Sequence, residues 1–146
     1  MSTGQTLYVA EPPAIYLVRP PLVVDCSVLC AALFEEATRD QAIELLAGKC
    51  WHAPYLLDHE IASVAQKKAR VGVPATLIAQ ALADYMGQEI ERHPTDIQAQ
   101  YQLAQRYNLS AYDAAYLWLA AELKAPLATF DQKLATAARA HLATLL

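Results

Sequence analysis

Pro21-Leu22-Val23-Val24-Asp25 is a short apolar run that ends abruptly in a carboxylate. Four residues bounded by prolines and an acid are too few for a helix and read as a buried strand. Residues 27–34 and 39–47 follow with helical character, and Gly48 is a natural stop. Residues 50–53 read as a second strand, and 55–70 as a helix ended near Gly72. Pro74 suits the start of a helix running to about Met86, and residues 88–92 read as a third short strand. Thr95 is the expected N-cap of a helix to Tyr107, and Ser110 opens another that ends before Pro126. Residues 127–130 form the last strand, and 131–145 close the chain as a helix. Strands alternating with helices predict α/β architecture: a three-layer α/β/α sandwich around a short parallel sheet.

Upstream, residues 1–20 read as an N-terminal arm punctuated by Pro12, Pro13 and Pro20, leaving 21–146 as one domain. Ile15, Tyr16, Leu17 and Val18 are apolar, so the arm is expected to dock on its own domain or on a partner.

The chain has 146 residues and is 55% hydrophobic, enough for a single core and too apolar for wholesale disorder. No apolar run is long enough to span a bilayer, so no membrane partner is expected. The polar start lacks the basic cluster of a signal peptide. Cys26, Cys30 and Cys50 cannot all pair, which suits the reduced cytoplasm. A net charge of −4 argues against a general nucleic-acid coat protein. An acidic nuclease stays open, because bound cations cancel part of the charge of a site. The one tight basic run, Lys67, Lys68 and Arg70, is either a solvated helix face or an edge that contacts phosphate.

Four acids stand in mainly apolar or small-residue surroundings: Asp25, Glu60, Asp113 and Asp131. A carboxylate is costly there unless something compensates it. In a parallel α/β sheet, ligands bind outside the carboxyl ends of the strands. Asp25 and Asp131 end the first and last strands. Glu60 lies early in the helix after the second strand, and Asp113 in the first turn of the helix leading into the last. All four can therefore face one crevice. Together they would repel and raise one another's pKa, a penalty that a hard divalent cation such as Mg²⁺ or Mn²⁺ reverses. Such a cation also lowers the pKa of bound water and stabilises charge on a phosphodiester.

Each acid has another use. Asp25 can cap the following helix or close an Asx turn, Asp113 can form a capping box with Ser110, and Asp131 can cap the last helix. Glu60 is harder to dismiss, since it borders the apolar stripe of Leu57, Ile61 and Val64.

Four stretches carry a family resemblance: Leu22-Val23-Val24-Asp25-Cys26-Ser27-Val28-Leu29, Glu60-Ile61-Ala62-Ser63-Val64, Leu109-Ser110-Ala111-Tyr112-Asp113-Ala114-Ala115-Tyr116-Leu117 and Leu127-Ala128-Thr129-Phe130-Asp131-Gln132-Lys133-Leu134. Across about residues 21–143 the chain resembles the PIN-domain family, most closely its VapC-like toxin branch. The resemblance implies a Mg²⁺- or Mn²⁺-dependent endoribonuclease that cleaves single-stranded RNA by metal-activated water. It implies that Asp25, Glu60, Asp113 and Asp131 are the acidic cluster, with Asp25 and Asp113 as first ligands. Ser27, and Thr129 in a similar part, would support a carboxylate or a bound water; helix capping is the alternative for both. It also implies a cognate antitoxin that covers the site, and a homodimer. The chain departs from the family pattern in carrying about twenty residues before the first strand.

Other groupings are open. Cys26 and Cys30, one turn apart, can join His52 or His59 at zinc, or be buried and inert. Trp51, Trp118, Tyr112 and Tyr116 can stack on bases, though core packing is expected. His59 can shuttle protons or simply face solvent. The competing functions are an aspartyl-phosphate phosphatase with Asp25 as nucleophile, and a catalytically silent binding module.

Overall fold

The computed structural model describes residues 6–8, 10 and 19–145. The apolar stretch 15–18 of the arm lies outside the described residues. The elements run β1 (Pro21–Val24), α1 (Cys26–Leu33), α2 (Arg39–Leu46), β2 (Cys50–Pro54), α3 (Leu56–Arg70), α4 (Ala75–Met86), β3 (Ile90–His93), α5 (Ile97–Tyr107), α6 (Ala111–Leu123), β4 (Leu127–Ala128) and α7 (Gln132–Leu142).

All strand pairs are parallel, in the order β3-β2-β1-β4. The chain builds from β1 outward to β3, then returns to the far side of β1 as β4. β1 and β4 therefore meet where the crossovers diverge, which leaves a crevice at the carboxyl edge. Helices α1 to α4 pack on one another, and α6 lies against β1, β2 and β4 with α5 and α7 beside it. This is the expected three-layer sandwich.

The middle of β1 is sealed: Leu22, Val23 and Val24 are all buried. α6 is buried almost all round, through Ala114, Ala115, Tyr116, Leu117, Leu119 and Ala120, as befits a central helix. Its alanines let the backbone approach the sheet closely. Each large apolar side chain sealed here, such as Leu117 or Leu119, contributes about 1.5–3 kcal/mol. Gly48 and Gly72 take left-handed φ values of 72° and 91°, stopping the chain after α2 and α3.

Several boundaries differ from the sequence expectation. Asp96, not Thr95, caps α5, its side chain accepting from the Ala99 N–H at 2.9 Å. The Thr95 hydroxyl instead donates to Gln100 Oε1 at 2.7 Å. β3 starts at Ile90 because the N–H groups of Gly87 and Gln88 still bond carbonyls of α4. β4 stops at Ala128 because the next amides leave the ladder: Phe130 N–H bonds Ser27 Oγ and Asp131 N–H bonds Thr129 Oγ1. α7 ends at Leu142, short of residue 145. Trp51 and Trp118 pack against the core, and Tyr116 is wholly buried. Tyr112, expected in the core, is 67% exposed.

Candidate active site

Asp25 occupies the N-cap position of α1 yet makes no capping hydrogen bond. Its Oδ2 accepts instead from the hydroxyls of Ser27 and Thr129, each at 2.8 Å. Those hydroxyls in turn accept from the amides of Phe130, at 3.0 Å, and Asp131, at 2.9 Å. Two relays of backbone amide, hydroxyl and carboxylate thus converge on one oxygen and fix the ring of contacts between β1 and β4. The second oxygen, Oδ1, takes no hydrogen bond from the described residues and is not sealed from solvent. Asp25 is only 6% exposed, so this oxygen is a narrow, oriented acceptor.

Glu60 projects from α3, and its Oε1 accepts from the Tyr116 hydroxyl at 2.6 Å. Among the described residues no lysine or arginine pairs with it. Burial pushes its carboxyl up to about 7, the Tyr116 hydroxyl pulls back, and the charges of Asp25 and Asp113 push further. Asp113 is raised too, first by burial and then by Asp25 and Asp131, against the pull of Ser110 and Lys133. The four acids therefore feel one another across the β1–β4 crevice.

The capping roles are real but incomplete. Ser110 Oγ accepts from the Asp113 backbone N–H at 3.0 Å, and the same hydroxyl pulls the Asp113 carboxyl down without outweighing its burial. Asp131 Oδ1 caps α7 by accepting from Leu134 N–H at 2.9 Å, which leaves the other oxygen.

A cleft of about 580 Å³ opens beside Glu60. One stripe of α3 forms its wall: Leu56, Glu60, Ser63, Val64 and Lys67, the helical spacing i−4, i, i+3, i+4, i+7. His59 and Tyr112 also line it. The basic run divides in two. Lys67 faces the cleft, while Lys68 bonds Glu36 at 3.2 Å and sits over the Phe34 ring. Lys67 stood in the sequence only as one of a basic run and Tyr116 only as a stacking or core ring; the place of Lys67 in this cleft and the bond of Tyr116 to Glu60 were not foreseen. Both follow from helical spacing, Lys67 from Glu60 and Tyr116 one turn after Asp113.

Cys26 and Cys30 are both buried with their sulfurs 3.5 Å apart, and the Cys26 thiol is held protonated by that contact, by burial and by nearby acids. His52 lies elsewhere, on β2. Among the described residues the only three potential ligand atoms within 4.8 Å of one another belong to Cys50, His52 and Glu91. No three of the four acids approach one another that closely.

The acid site nonetheless suits a hard divalent cation. Its donors are carboxylate oxygens, and Glu60 and Asp113 are both pushed up by neighbouring negative charge. Asp25, Glu60, Asp113 and Asp131 are the residues that would hold it.

The PIN domain family model matches residues 22–140. A VapC ribonuclease of Mycobacterium bovis is 36% identical over 121 residues, covering 82% of this chain and 93% of that protein. Ribonuclease VapC9 of Mycobacterium tuberculosis matches equally, at 36% with the same coverage. Among solved structures, PAE2754 from Pyrobaculum aerophilum superposes with a TM-score of 0.66 at 22% identity, over 86% of this chain and 95% of that one. Mycobacterium tuberculosis VapC20, titled a sarcin-ricin loop cleaving toxin, superposes at 0.59 with 15% identity, over 80% and 94%. These two share the fold. By the family model and the near full-length relatives, the chain belongs to the PIN-domain family.

Proposed function

We infer that this protein is a divalent-metal-dependent endoribonuclease acting on unpaired RNA, and the toxin of a type II toxin–antitoxin pair. What supports this reading most is a chain 36% identical to VapC ribonucleases over most of its length, with Asp25 at the β1–β4 switch point and its charge acting on Glu60 and Asp113.

Asp25 and Asp113 would hold the metal directly. Ser27 and Thr129 are positioning residues that hold Asp25 at a fixed angle. Glu60, poised near neutrality and steered by Tyr116, takes up or orients the proton of the attacking water. Asp131 completes the site with the oxygen its cap does not use. Mg²⁺ or Mn²⁺ bound there would neutralise the acids and polarise the phosphodiester. Lys67 and His59 would meet the phosphate backbone, and exposed Tyr112 offers a ring for stacking. A flexible single strand fits the narrow crevice better than a duplex. A cognate antitoxin would cover this cleft in the cytoplasm, and the toxin would be a homodimer.

The test is cleavage of a labelled single-stranded RNA with Mn²⁺ by the wild type and by Asp25→Asn. Cutting that is lost in EDTA and in the variant is expected. Equal cutting in EDTA would remove the metal mechanism. Tight RNA binding without cutting in Mg²⁺ or Mn²⁺ would favour a silent binding module. A phosphoryl group captured on Asp25 would favour the phosphatase.

A further inference from the structure

A second cluster of ligand-bearing side chains lies away from the acids, on the β2–β3 side of the sheet. In the β2–β3 register Trp51 pairs Ile90, His52 pairs Glu91 and Pro54 pairs His93. Side chains alternate along a strand, and paired residues share a face. Cys50, His52, Glu91 and His93 therefore all stand on one face. The side chains confirm the convergence. His52 Nδ1 is 2.9 Å from His93 Nε2 and 3.5 Å from Glu91 Oε2. One donor atom each from Cys50, His52 and Glu91 lies within 4.8 Å of the others.

We propose that Cys50, His52 and Glu91 form a zinc-class metal site that clips edge strand β3 to β2. The donor set is a thiol, an imidazole and a carboxylate, the chemistry of zinc rather than of Mg²⁺. A tetrahedral zinc shell spaces its donors about 3.3–3.7 Å apart, so small side-chain rotations close the group. The fourth position falls on the side of His93. His52 is buried, and burial lowers its pKa, with His93 adding to this against Glu91. Zinc takes the imidazole in its neutral form, the form that burial favours. Cys50 is a free thiol, and its proton leaves to solvent on binding. A broad cavity of about 880 Å³, lined by Cys50, Glu91, Lys49 and Arg19, gives the entry path. The two sites share no residue, so this one stands whether or not the acids cut RNA.

The structure also supplies a reason for such a clip. Among the described residues β3 pairs only with β2, and it is four residues long. A strand of that kind gains little from its ladder alone. A cation held from both strands would fasten it.

The experiment uses the full-length protein, stripped of metal and titrated with Co²⁺ and Zn²⁺. Co²⁺ is expected to give a thiolate-to-metal charge-transfer band at one equivalent. Cys50→Ser abolishes the band, and Glu91→Gln weakens Zn²⁺ binding by more than about 10-fold in competition with a chromophoric chelator. Asp25→Asn leaves both unchanged. Cys50 is half-buried and Glu91 exposed, so both variants keep the core intact. A cobalt spectrum without the thiolate band overturns the site. So does a band that survives Cys50→Ser, which would point to Cys26 or Cys30, or one that disappears with Asp25→Asn.

Discussion

Asp58 and Glu60 stand two residues apart on α3, and each accepts a 2.6 Å hydrogen bond from a tyrosine, Tyr85 and Tyr116 respectively. Their chemistry diverges completely. At Asp58 the Arg92 guanidinium adds an ion pair at 2.9 Å. Burial pushes that carboxyl up, but Tyr85 and Arg92 outweigh it and hold it below the ordinary range. At Glu60 no cationic side chain arrives among the described residues. Burial, Asp25 and Asp113 outweigh the tyrosine, and the carboxyl rises to about 7. A tyrosine alone orients a carboxylate without compensating its charge. The region around Asp58 is complete within the protein, whereas the region around Glu60 asks for a cation from outside.

The sharpest way to break this contrast is to neutralise one acid in each region. Asp113→Asn should cost several kcal/mol of transition-state stabilisation, on the order of 10³-fold in Mn²⁺-dependent RNA cleavage. Asp58→Asn should leave cleavage nearly unchanged and lower stability by about 1 kcal/mol in a denaturant titration. Reversed outcomes would reverse the roles of the two regions. Next in size is the clamp on Asp25. Ser27→Ala with Thr129→Val should weaken Mn²⁺ affinity by about 10- to 100-fold, measured by titration, while the acids stay in place. Unchanged affinity would reduce both hydroxyls to turn-forming residues.

A smaller effect is expected from pH. The Glu60 carboxyl holds its proton more tightly folded, at about 7, than at its ordinary 4.5. Its contribution to stability is therefore fully present below about pH 4.5 and is lost as pH rises through 7; Asp113 acts in the same direction. After solvent screening this amounts to about 1–2 kcal/mol. Metal-free protein should thus lose thermal stability between pH 5 and pH 8 by about that amount, and saturating Mn²⁺ should restore it. A flat profile would mean that the acids are not strained. Smallest of all, Tyr116→Phe removes the one group that pulls Glu60 down. The acid limb of the cleavage profile should move up by about one pH unit or less, and Tyr85→Phe should not move it.

The sequence made the order of elements legible because each strand is short, apolar and punctuated by glycine, proline or an acid. The acids were legible through their position at strand ends and first turns. What escaped was set by pairing across the fold. The early end of β4 depends on Ser27, 103 residues away from the amide it captures. Thr95 lost the cap to Asp96 because its hydroxyl found Gln100. Cys50 shares a face with His52 because they stand two residues apart on β2, and the parallel register of β2 and β3 brings Glu91 beside them. Spacing along the chain had put Cys26 and Cys30 forward, and they turned inward together instead.

The hydroxyl clamp also sets a timetable. Asp25 is among the first residues of the domain to leave the ribosome, but Thr129 and the Phe130 amide that complete its clamp are encoded more than a hundred residues later. A nascent chain that has displayed Asp25, Glu60 and Asp113 still lacks the hydroxyl that aims the first of them. On the proposed reading, the metal-binding face of Asp25 is aimed only once the β4 turn that carries Thr129 and Phe130 has been made and has packed against β1.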